Sequence, residues 1–170
     1  MLSRIAVAAG VMLMPLALLV SQPAHAEVTV RFIEAEKFVD AQDFSRHNRD
    51  DVLLALQTHL EALAPRLAGK NLSIEVTQLD LAGTVEPYGR WMEMLRVLRP
   101  ITSPSIELRY VLSEGGKTLR SGQAALRDFN YLSSQNRYPS GDPIRYERRM
   151  LDLWFAEEFR AELVPAKPSP

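Results

Sequence analysis

Two clusters carry most of the residues whose types could do chemistry. The first is Leu126-Arg127-Asp128-Phe129-Asn130-Tyr131 and the second Arg145-Tyr146-Glu147-Arg148-Arg149. Guanidinium groups grip carboxylates or phosphates through forked hydrogen bonds, so Arg127, Arg145 and Arg149 are candidate donors to an anionic group. Asp128, Asn130 and Glu147 complete the set of candidate ligand or partner contacts. Arginines at the start of a helix oppose its dipole, at about 0.3–1 kcal/mol each if unscreened. Something must compensate: an acid such as Asp128, Asp142, Glu147 or Asp152, or an anionic ligand. The first alternative is a salt-bridged junction locking the last helix to the preceding strand, and it is the weightier expectation.

Other chemistries find no motif. The sequence has no cysteine, so thiol catalysis and disulfides are ruled out. No Gly-x-Ser-x-Gly elbow occurs, and Gly115-Gly116 reads as a hairpin turn rather than a phosphate loop. His47 and His59 lack zinc-ligand spacing, so no metal and no cofactor are expected. His47-Asn48-Arg49-Asp50-Asp51 reads as a helix start, and His59 as a solvated or partly covered helix residue. A hydrolase built on carboxylates such as Asp80 and Asp128 is the least supported reading, because nothing selects a pair. Asp80 in Leu79-Asp80-Leu81-Ala82-Gly83 reads as a strand end. The formal net charge of −1 argues against a nucleic-acid binder.

The elements that must position these clusters follow from periodicity. Val28-Thr29-Val30-Arg31-Phe32 alternates as a half-buried strand. A helix is expected from Asn48, with Val52, Leu56, Leu60, Leu63 and Leu67 on one face, interrupted at Pro65 and ended by Gly69. Leu72 to Val76 is a second strand, parallel to the first, with a bulge or strand end near Gln78. Met92 to Leu98 is read as a short edge strand. Ile106 to Leu112 and Thr118 to about Phe129 form a hairpin around Glu114-Gly115-Gly116-Lys117, with Gly122 a candidate bulge. Asp142 and Pro143 should cap and open a last helix, with Met150, Leu151, Trp154, Phe155, Phe159 and Leu163 facing the core. The expected fold is α+β: one domain with a mixed, mostly antiparallel sheet of about four to five strands and two helices on one face.

Residues 1–26 read as a cleaved signal peptide. Arg4 precedes the 16-residue apolar run Ile5 to Val20, and Ala24-x-Ala26 fits the small-residue cleavage rule. The run contains Pro15 and is shorter than the roughly 20 residues of a spanning helix. A twin-arginine pair is absent. The expectation is therefore a periplasmic product of the general export route, with onward secretion left open and no stable membrane anchor. One α+β domain would span 27–164, and the proline-rich 165–170 would be a disordered tail.

The chain resembles the exported proteobacterial family Domain of Unknown Function 3016. The resemblance rests on Val30-Arg31-Phe32-Ile33-Glu34, on Ile74 through Gly83, on Leu126 through Tyr131, and on Arg145-Tyr146-Glu147 through Leu151-Asp152-Leu153-Trp154-Phe155. It covers about Val28 to Leu163 and implies export and a single domain, without an activity or catalytic residues. The expected role is a non-catalytic interaction or accessory module of the bacterial cell envelope, partnered by another envelope protein. The alternative is a binder of a small anionic ligand.

Overall fold

The computed structural model describes residues 26–38 and 49–163. The apolar leader with Ala24, the helix start at His47-Asn48 and the tail after 164 lie outside the described residues.

The strand β1 (Val28–Phe32) buries Val28 and Val30 and exposes Thr29 and Arg31. The helix α1 (Arg49–Glu61) buries Val52, Leu56 and Leu60. It stops before Pro65 instead of running through it. A proline ring clashes with the carbonyl four residues earlier, here Glu61, so the helix gives way there. A 3-10 turn, Ala64–Leu67, follows and buries Leu67. The strand β2 (Asn71–Asp80) then runs parallel to β1, pairing Val28 with Leu72 through Phe32 with Val76. Its register shifts between Val76 and Gln78, the bulge expected near Gln78. The extra residue resets the alternation, so Leu79 stays buried.

The hairpin β5 (Ser105–Glu114) and β6 (Lys117–Arg127) turns through Gly115 and Gly116, at φ 56° and 81°. Two consecutive positive φ values define the tight turn whose twist suits a hairpin. Gly122 is not a bulge. The irregularity lies between Leu112 and Ser113, opposite Leu119. Gly122 pairs with Tyr110, and a Cβ there would stand 2.6 Å from the Tyr110 hydroxyl. Its missing side chain makes room for that ring. β6 ends at Arg127, two residues before the expected end.

The main sheet has the order β1-β2-β5-β6. Leu72, Ile74, Val76, Leu79, Ile106, Leu108, Tyr110 and Leu112 turn to one face and form the core with both helices. The opposite face is polar and open, with Thr29, Ser73, Glu107, Arg109, Ser121 and Gln123 exposed. A four-stranded mixed sheet with both helices on one face is the expected α+β architecture.

The strand expected over Met92 to Leu98 is present, as the second strand of a ribbon whose first strand was not anticipated. β3 (Thr84–Tyr88) pairs antiparallel with β4 (Glu93–Val97) in a separate two-stranded sheet. Pro87 lies within β3. A two-stranded ribbon is all edge, where a proline is tolerated.

The helix α2 (Arg145–Glu158) takes Ile144, not Asp142, as its N-cap. Asp142 Oδ1 accepts the Ile144 N–H at 3.0 Å, a side-chain turn immediately before the helix. Along α2, Met150, Leu151, Trp154 and Phe155 are buried, as is Phe159 beyond it. Tyr110, Trp154 and Phe159 meet edge-to-face with centroids 5.4–5.7 Å apart, the favoured packing of aromatic quadrupoles.

Candidate interaction groove between β6 and α2

The sheet ends at β6, and α2 runs alongside it. Between them lies an open groove of about 530 Å³. Leu126, Met150 and Trp154 give it an apolar floor with Leu153 exposed beside them, and Arg127, Asp128, Asn130, Arg149, Glu157 and Glu158 a polar, mostly charged rim. Four of the six candidate contacts, Arg127, Asp128, Asn130 and Arg149, therefore come together here. The strand-to-loop exit of β6 brings the first three, and the second turn of α2 brings Arg149. Arg145 and Glu147 are not part of this lining.

Within the rim the strongest pair is internal. Asp128 Oδ2 accepts from Arg149 Nη1 at 2.6 Å, and its Oδ1 accepts the Asn130 N–H at 3.0 Å. Arg149 Nε also donates to the Gln135 carbonyl at 2.8 Å. The other α2 arginines are occupied too. Arg148 Nε lies 3.1 Å from Asp142 Oδ2, and Arg145 stacks over Tyr146 at 5.2 Å. Asp128 and Asp142 thus neutralise the Arg149 and Arg148 charges that oppose the helix dipole. Arg127 lies over the Phe129 ring at 5.5 Å.

Glu147 corrects the expectation that it sits among the contact residues. It is fully buried, and its Oε1 accepts the Ala82 N–H at 2.7 Å. Burial pushes its carboxyl up to about 7, opposed by hydrogen bonds from backbone N–H groups and by the Arg96 charge. It ties α2 to the base of the β3–β4 ribbon. Asp80 and Asp128 do not converge as a carboxylate pair. Asp80 pairs with Ser105 and Ser105 with Arg127, so they end strands two apart, roughly 10 Å at the backbone. Asp80 does not line the groove.

Sequence reasoning missed a second cluster. His59 is not solvated: it is 7% exposed, with Nε2 3.1 Å from Asp152 Oδ1. Asp152 Oδ2 accepts from Tyr138 at 2.5 Å and from Arg137 at 2.6 Å. Burial raises the Asp152 carboxyl, but the contacts from His59 and Tyr138 and the charges of His59 and Arg137 outweigh it. They hold it below the usual carboxylate range. The available signal was spacing: Val52, Leu56, His59 and Leu63 step by four, three and four along one helical stripe. This cluster joins α1, α2 and the 130–142 loop. Asp152 also lines a second depression that shares Arg149 and Leu153 with the groove.

Tyr110 and Arg120 both donate to Glu158 at the end of α2. Burial, then the Glu158 hydrogen bond, push the Tyr110 phenol up to about 12. Both ends of α2 are therefore fastened to neighbouring segments, and the groove wall is held by named polar contacts. Among the described residues no group of His, Cys, Asp or Glu is arranged to hold a metal. Nor is any described helix long and apolar enough to cross a membrane.

A family model described as "Protein of unknown function (DUF3016)" matches residues 26–157, a span that includes β1 through nearly all of α2. No curated protein and no solved structure matches the chain.

Proposed function

The chain belongs to the DUF3016 family, and we propose that it is an exported, periplasmic, non-catalytic interaction module of the bacterial cell envelope. Its docking surface is the β6–α2 groove, and its occupant is a β-strand segment of another polypeptide chain. The observation that carries this reading is the position of β6. It is an eleven-residue strand at the end of the sheet, so half of its backbone N–H and C=O groups point away from β5. An exposed edge of that length is a template for strand addition. The groove beside it supplies an apolar floor for alternate side chains. The Trp154 indole N–H, buried at the groove with no acceptor among the described residues, adds a donor for a peptide carbonyl.

The anionic-ligand alternative has less support, since Arg149 is committed to Asp128 and Gln135. Export rests on the leader read from residues 1–26.

Photocrosslinking in cells tests the docking surface. A photoreactive residue at Leu153, which is 55% exposed, should trap one envelope protein. The same residue at Val111, on the open sheet face, should not. With the photoreactive residue moved to the exposed Glu157 of the same rim, Leu153→Glu should abolish the capture without changing the unfolding midpoint. Equal trapping from both positions, or none from Leu153, would overturn the reading. Export is tested by fractionation and intact mass: the expected product is periplasmic and begins at Glu27. A cytoplasmic chain retaining residue 1 would refute it.

A further inference from the structure

The β3–β4 ribbon exposes every residue from Pro87 to Glu93. Tyr88 is 67% exposed, Trp91 84% and Met92 65%. Five-residue strands hold this tip roughly 17 Å from the ribbon's base. Trp, Tyr, Met and Arg are the residues that dominate interface cores and hot spots. Here all four sit on one turn, Tyr88-Gly89-Arg90-Trp91-Met92, and none is buried against its own chain.

We propose that the groove between β6 and α2 is occupied by a second copy of this chain, which inserts its β3–β4 tip. This rests on the groove being a docking site. Two features of the molecule select that occupant. The groove offers Leu126, Met150 and Trp154 as an apolar floor with Leu153 exposed beside them, the surface that Trp91 and Met92 lack at home. One end of it carries the exposed Glu157, opposite in sign to the Arg90 beside Trp91, while Glu158 next to it is held by Tyr110 and Arg120. The volume of about 530 Å³ is within the range of sites that enclose small molecules, ample for an indole and a thioether. The tip alone is too small for a standard interface of about 800 Å² per partner. A reciprocal exchange, each copy giving a tip and receiving one, doubles the contact and closes it about a two-fold axis.

Sedimentation velocity of the processed wild-type chain across the micromolar range tests this. The expected result is a concentration-dependent doubling of mass. Trp91→Ala and Leu153→Glu, both at exposed positions, should each weaken association at least about tenfold. Mixing the two variants should restore part of it, because one intact tip then meets one intact groove. A wild-type chain that stays monomeric would overturn the proposal, as would association indifferent to either variant or a mixture that remains monomeric. Trp91-dependent binding to phosphatidylcholine vesicles by a monomeric chain would overturn it in favour of a lipid surface. The docking reading fails separately: if Leu153→Glu leaves partner crosslinking through position 157 intact the groove itself is wrong. If Trp91→Ala leaves both crosslinking and self-association intact, only the second-copy assignment falls.

Discussion

The Glu147 carboxylate accepts the backbone N–H of Ala82 at 2.7 Å, across 65 residues of sequence. Both partners are buried. The contact makes α2 responsible for the point at which the chain leaves the main sheet and enters the β3–β4 ribbon.

It has a consequence for pH. The folded carboxyl titrates at about 7 against 4.5 for the ordinary group, so the folded state binds the proton more tightly. Stability from this group is therefore fully present below about pH 4.5 and is lost as pH rises through about 7, by up to about 3 kcal/mol. Urea unfolding of wild type and Glu147→Gln should diverge over that window and run parallel above it. A constant difference from pH 4.5 to 8 would disprove the assignment.

Asp152 has the opposite sign. Its folded carboxyl is held below its ordinary value of 3.8. Its contribution is present above that value and disappears as pH falls through the folded one. Asp152→Asn should cost about 1–3 kcal/mol near neutrality, since it weakens the contacts to His59, Tyr138 and Arg137 together. The gap from wild type should narrow in strong acid, read as converging denaturant midpoints.

The Asp128–Arg149 pair fastens the groove's rim. Removing one partner of a fully buried pair costs about 3–5 kcal/mol, and this pair is partly solvated, so about 1–3 kcal/mol is expected for Asp128→Ala. Arg149→Ala should cost a similar amount, because each side chain makes one further hydrogen bond, Asp128 from the Asn130 N–H and Arg149 to the Gln135 carbonyl. A double-mutant cycle should give a favourable coupling. Independent, additive effects would mean that the pair contributes nothing to stability.

Gly122 should resist substitution. A methyl there would meet the Tyr110 hydroxyl, Cζ and Cε1 at 2.6, 2.9 and 3.0 Å, and that ring is already fixed against Trp154 and Phe159. Gly122→Ala should lower stability by about 1–3 kcal/mol with an unchanged denaturant slope. Tyr110→Phe in the same chain should relieve only part of the loss, because the ring carbons remain.

Much of the framework follows from local pattern. The alternation in Val28–Phe32, the resetting of phase around Gln78 and the glycine pair at 115–116 each state a geometry that a few neighbouring residues enforce. The α+β class and the two helices on one face follow from the same patterns. Tight spacing along α1 also held the clue to His59, since the four-three-four step from Val52 to Leu63 passes through it. The expected leader follows from the order of Arg4, the apolar run Ile5 to Val20 and Ala24-x-Ala26, and the export experiment tests it.

What the tertiary structure decided is the fate of each polar side chain. Arg127, Asp128 and Asn130 meet Arg149 because β6 and α2 end up side by side, a relation that no window of ten residues contains. Glu147, in the same five-residue cluster as Arg145 and Arg149, turns inward because its helical position faces Ala82. Arg149, two residues on, faces the rim. Propensity and periodicity act over one or two turns of chain. Burial and charge pairing act between segments far apart in sequence, and they determine which arginine meets which acid, which acid is hidden and where the groove opens.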